Sequence, residues 1–131
     1  MKVTVDTNVL VRAVVQDDPM QAQQAGTVLL DAALIAVTLP ALCELVWVLR
    51  KVYGFPVGDV AQAIRALVAT ANVEMNRPAV VAGLAVLGAG GDFADGVIAY
   101  EGNWLGGETF VSFDKKAVAL LVAQGQSARL L

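Results

Sequence analysis

Four acidic residues stand out by their surroundings: Asp6, Glu44, Asp95 and Asp114, with Asp92 as a second candidate beside Asp95. Asp6 ends the β-branched run Val3-Thr4-Val5 and is followed by Thr7, Asn8 and a second apolar run. That pattern reads as a strand, its carboxyl edge and the cap of a helix, and the carboxyl edge of an open parallel sheet is where ligands bind. Asp114 repeats the arrangement after Thr109–Phe113. Glu44 falls in the second turn of an expected helix, among Leu42, Cys43, Leu45, Val46, Trp47, Val48 and Leu49. A helix apolar nearly all round should be buried, and a buried lone carboxylate costs several kcal/mol unless it is paired or bound to a metal. Glu44 is therefore expected to be buried, and Trp47 to pack in the core. Asp92 and Asp95 stand three apart at a helix start, a spacing that also suits capping. Asp6, Asp92 and Asp114 taken singly are explained as well by capping their own helices, Asp95 less so.

Their joint placement carries more. Asp6 and Asp114 follow strands, and Glu44 and Asp95 lie on early turns of helices that begin at the same edge, so all four are expected to project toward one end of a sheet. Carboxylates crowded in that way repel, and some take up protons unless cations neutralise them. The chain has no histidine and a single cysteine, Cys43, read as a core residue. Those two facts exclude Ser-His and Cys-His nucleophilic chemistry and cysteine metal clusters. Hard oxygen ligands alone select Mg2+ or Mn2+, ions that polarise a phosphoryl oxygen and activate a water for attack. The chemistry expected is hydrolysis of a phosphodiester. Thr7, Asn8 and Ser112 are placed to orient the acids, waters or a phosphate oxygen.

The elements needed to position these acids are legible in order. At 131 residues, with 57% apolar and 16% charged content, the chain suits one domain, residues 1–131, whose sheet is buried on both faces. Strands are expected at Val3–Val5, Ile35–Thr38, Val73–Met75 and Thr109–Phe113, with a further one at Ser127–Leu131. Helices are expected at Asn8–Val15, from Pro19 to about Ala33, from Pro40 to about Tyr53, at Val60–Thr70 and Pro78–Leu87, from Asp92 to about Asn103, and from Asp114 to about Ala123. Asp17-Asp18-Pro19 is a stop-and-restart signal between the first two. Strands separated by helices imply an α/β fold, a three-layer α/β/α arrangement with a central parallel sheet of four to five strands. No apolar run reaches the roughly 18 residues needed to span a bilayer, and no signal peptide is visible, so a cytoplasmic protein with no membrane partner is expected.

These residues resemble a known family. Asp6-Thr7-Asn8-Val9-Leu10, Glu44-Leu45-Val46-Trp47-Val48-Leu49, Asp92-Phe93-Ala94-Asp95 with Ile98-Ala99, and Ser112-Phe113-Asp114 are similar, in order and across essentially the whole chain, to PIN-domain ribonucleases, specifically the VapC-type toxins of toxin–antitoxin pairs. The resemblance implies a metal-binding and catalytic quartet of Asp6, Glu44, Asp95 and Asp114 that cuts single-stranded or loop RNA. It implies a homodimer, and a VapB-type antitoxin whose tail crosses the acidic pocket. Asp95 matches the family's Asp-x-x-Ile-Ala pattern and is preferred to Asp92. Gly96 and Tyr100 depart from it, standing where alanine is commoner.

The formal charge of −3 runs against a nucleic-acid partner unless a local basic rim exists. Arg12, Arg50, Lys51, Lys115 and Lys116 lie close in sequence to the acids and are the candidates, with Arg12, Lys115 and Lys116 the expected RNA contacts. Three other readings stay open. A haloacid-dehalogenase-like phosphohydrolase acting on small phosphoesters needs an aspartate two residues after Asp6, where Asn8 stands. A receiver-type phosphoacceptor gives no account of Glu44. A PIN-like module that binds RNA or protein without turnover is the non-enzymic alternative.

Overall fold

The computed structural model describes residues 1–131. The chain is α/β, with seven helices and five short strands, and its contacts divide it into two compact units, Met1–Asn76 and Arg77–Leu131.

The first unit runs β1 (Lys2–Thr4), α1 (Thr7–Val15), α2 (Pro19–Asp31), β2 (Leu34–Ala36), α3 (Leu39–Lys51), α4 (Val57–Val68) and β3 (Val73–Glu74). Its strands form one parallel sheet in the order β1-β2-β3, with Val3 opposite Ile35 and Ile35 opposite Val73. Parallel strands need helical crossovers between them, and the strand–helix alternation supplies them. Helix starts are set locally. Asp6, Asp18 and Thr38 accept hydrogen bonds from the first-turn amides of α1, α2 and α3, and Pro19 and Pro40 occupy early positions where no N–H is missed. Asn72 closes the other end of α2, its Nδ2 donating to the carbonyls of Leu29 and Ala32. Leu10, Ile35, Leu42, Leu45, Leu49, Val60, Ile64 and Val73 are buried and form the apolar interior of this unit.

The second unit runs α5 (Arg77–Gly88), α6 (Phe93–Trp104), β4 (Phe110–Ser112), α7 (Lys115–Ala123) and β5 (Ala128–Leu130). β4 and β5 pair in parallel, Val111 opposite Arg129. Val86, Ala99 and Leu121 form its core, with Phe110, Leu120 and Ala128 packed against them. The five strands expected from the sequence are all present, but their hydrogen bonds form a three-stranded and a two-stranded sheet instead of a single ladder of four to five. Each strand is only two or three residues long, so each ladder rests on few backbone bonds.

Gly96 has a clear reason. A Cβ there would collide with the Ala82 carbonyl oxygen and stand 2.8 Å from Gly83 Cα, so α6 lies against α5 at a separation only glycine permits. Gly83 answers it, since a Cβ at that position would meet the fully buried Phe93 ring at 2.6 Å. Gly96→Ala is therefore expected to destabilise the protein by about 1–3 kcal/mol through overpacking, although alanine is the better helix former by about 1 kcal/mol. Gly102, in the same helix with nothing within 4 Å of its missing Cβ, is the control: Gly102→Ala should stabilise. Urea unfolding of the two variants checks both signs.

No helix is long and apolar enough to cross a membrane.

Candidate active site

In the first unit the carboxyl ends of β1 and β2 lie at one edge of the sheet, since the strands are parallel. α1 and α3 both begin there, and they carry Asp6 and Glu44 to one cleft of about 340 Å3. Asn8, Arg12 and Tyr53 line it as well, over the apolar side chains of Val11 and Val48. Asp6 caps α1, its Oδ1 accepting the Thr7 amide at 2.8 Å. Thr7 itself is buried, while Asn8 faces solvent.

Glu44 is exposed, not buried. Trp47, expected in the core, is 59% exposed. The reason lies in the covering of α3. Leu42, Leu45, Val46 and Leu49 recur at helical spacing and take the buried face, which leaves Glu44, Trp47, Arg50 and Lys51 on the open one. An apolar composition all round predicts burial all round, but α3 has only one covered side. Glu44 thus needs no metal to offset burial, and its candidacy rests on the cleft it shares with Asp6.

The second unit gathers the other acids. Asp92 caps α6, with Oδ1 accepting the Ala94 amide at 3.2 Å. Asp114 caps α7, with Oδ1 accepting the Lys116 and Ala117 amides at 3.0 and 3.1 Å. Ser112 Oγ accepts the Asp114 amide at 2.9 Å and so fixes the backbone that presents this acid. Asp95, in the first turn of α6, has no capping duty. Its carboxyl is held above the ordinary carboxylate range by partial burial first, then by the negative charges of Asp92 and Asp114. None of the three is ion-paired. Lys115 and Lys116 follow Asp114 directly and are exposed.

The donor set fits a hard divalent cation in kind, carboxylate oxygens only, with one acid, Asp95, destabilised as an anion by burial first and by its neighbours after that. No group of three acidic side chains is arranged to grip one ion as it stands. The fold brings Asp6 to Glu44 in one unit, and Asp95 to Asp92 and Asp114 in the other.

Reasoning from the sequence missed Asp17, Gln21 and Tyr53. Arg12 Nη1 is ion-paired to Asp17 Oδ1 at 2.9 Å, and Arg12 Nε donates to Gln21 Oε1 at 2.6 Å. The Tyr53 hydroxyl donates to Asp17 Oδ2 at 3.0 Å. That hydrogen bond first, and the Arg12 charge after it, hold the Asp17 carboxyl below its ordinary range. The only signal available in the sequence was an acid five residues after an arginine, on a turn already explained as a helix break.

No family model matches the sequence, and no curated protein matches it significantly.

Proposed function

We propose that this chain is a Mg2+- or Mn2+-dependent endoribonuclease, with Asp6, Glu44, Asp95 and Asp114 as its working carboxylates, and that it acts as a VapC-type toxin. The observation that carries the reading is that Asp95, partly buried, also feels the negative charges of Asp92 and Asp114 with no ion pair to relieve it. A cation beside Asp95 would offset that repulsion, and carboxylate oxygens suit a hard divalent one. The cleft that Asp6 and Glu44 share supports the same reading.

When bound, a divalent ion polarises a phosphoryl oxygen and lowers the pKa of a water. The protein's own residues do the rest. Asp6, Glu44, Asp95 and Asp114 supply the oxygen ligands. Asn8, exposed in the cleft, offers an amide to a phosphate oxygen, and Ser112 keeps Asp114 in place. Lys115 and Lys116 offset the overall negative charge where RNA approaches. The finer fold reading, one three-layer PIN-like domain around a single central sheet, belongs to this proposal. A homodimer and a VapB-type antitoxin complete it, and the exposed Trp47 on α3 suits a surface that a partner covers.

A second reading, an RNA- or protein-binding module without turnover, is favoured by one observation: Asp6, Asp92 and Asp114 each already cap a helix. Incubation with single-stranded RNA separates the two. Endonucleolytic cleavage is expected with Mg2+ or Mn2+ and none with EDTA. Cleavage that persists in EDTA would refute the assignment, and binding without cleavage would favour the module. Release of inorganic phosphate from small phosphoesters, with RNA untouched, would favour a phosphohydrolase.

A further inference from the structure

Arg12 is the one basic side chain lining the cleft of Asp6 and Glu44, and it is held there. Its Nε donates to Gln21 at 2.6 Å and its Nη1 to Asp17 at 2.9 Å. The second Asp17 oxygen accepts the Tyr53 hydroxyl across 36 residues of chain. Three parts of the unit thus converge on one guanidinium: α1 supplies it, the α1–α2 elbow and the first turn of α2 supply its acceptors, and the chain just past α3 supplies the phenol.

The acceptors are themselves fixed. Gln16 ends α1 in the left-handed region at φ 58°, and Asp18 caps α2 with Pro19 in its first turn. Asp17 therefore sits on a short elbow defined on both sides. Tyr53 packs edge-to-face on Phe55, with ring centroids 6.4 Å apart.

An arginine on an open surface loses rotamer freedom when it grips a phosphate. Here that freedom is already restricted before any ligand arrives. A guanidinium has five N–H donors, of which the protein engages Nε and one on Nη1. No carboxylate other than Asp17 lies within ion-pair distance of it. We infer that Tyr53 and Asp17 are positioning residues that hold Arg12 beside Asp6 and Glu44, so that its remaining N–H groups take a phosphodiester oxygen of single-stranded RNA. The inference rests on the nuclease reading for the identity of that ligand.

The test is a double-mutant cycle on binding of a short fluorescent single-stranded RNA to the full chain with Mg2+, in an Asp95→Asn background so that the probe stays intact. Arg12→Gln is expected to weaken binding about tenfold and to lower the salt slope by about one. Tyr53→Phe keeps the charge, so it should weaken binding about three- to tenfold, the effect of one hydrogen bond, with the slope unchanged. The double variant should bind no more weakly than Arg12→Gln alone, because Tyr53 acts only through Arg12.

Additive losses in the cycle, or an Arg12→Gln variant that binds like its parent, would overturn the inference while leaving the nuclease intact. A coupled cycle, in a protein that with Asp95 restored still does not cut RNA, would sustain the inference and sink the nuclease. A chain that binds no RNA even with Asp95 restored overturns the inference, and if it also leaves RNA uncut it overturns both.

Discussion

Asp6→Asn is expected to leave the fold standing and to lower Mg2+-dependent RNA cleavage by at least about a hundredfold, the scale on which even outer-shell partners of a metal site act. The two halves of that expectation have separate physical grounds. The structural duty of Asp6 is to accept the Thr7 amide at the start of α1, and asparagine is as good a cap as aspartate. What the substitution removes is the negative charge beside Glu44 in their common cleft, the property a hard cation needs. Circular dichroism and thermal unfolding should therefore overlay the parent while cleavage of a labelled RNA collapses. A variant that cuts as well as the parent would leave Asp6 with its capping role alone.

Asp95→Asn should separate activity from stability in opposite directions. Because its folded pKa is raised, by burial first and then by Asp92 and Asp114, the folded protein binds that proton more tightly than the unfolded chain. The stability this lends is complete below the unfolded value, about pH 4, and is lost as pH rises through the higher folded one. At pH 7 the ionised carboxyl therefore weighs against folding, and the neutral amide should raise the melting temperature. The gap should close as pH falls toward 4. Asp17 acts with the opposite sign: its depressed pKa gives stability above the unfolded value that is lost in acid.

Activity should fall by at least about a hundredfold in Asp95→Asn, and Mg2+ should stabilise the parent through preferential binding to the folded state more than it stabilises the variant. Asp92→Asn should cost less, since Asp95 and not Asp92 is the proposed ligand, and asparagine keeps the cap on the Ala94 amide. The reverse ranking of the two variants would identify Asp92 as the ligand.

The order and the starts of the helices were legible because they are set by neighbours in the chain. A cap acts over two or three residues, as at Asp6, Asp18, Thr38, Asp92 and Asp114, and proline acts on its own turn. The same locality explains why strand existence was readable from β-branched runs while strand partners were not. Pairing joins Val3 to Ile35 and Phe110 to Ala128, and no rule of composition says that β1 to β3 and β4 to β5 make separate ladders. Gly96 looked like a departure from a pattern until α5 lay against it.

By itself the sequence determined the helix–strand alternation, the aspartates placed to begin helices, and the exclusion of histidine chemistry. Tertiary structure decided which of those acids meet, which face of α3 is covered, and that Arg12 is gripped by Asp17, itself held by Tyr53. The division follows from range. Capping and periodicity are properties of a few consecutive residues, whereas exposure and side-chain partnership depend on what a distant part of the chain brings alongside, and the apolar count around Glu44 carried no record of which side would be met.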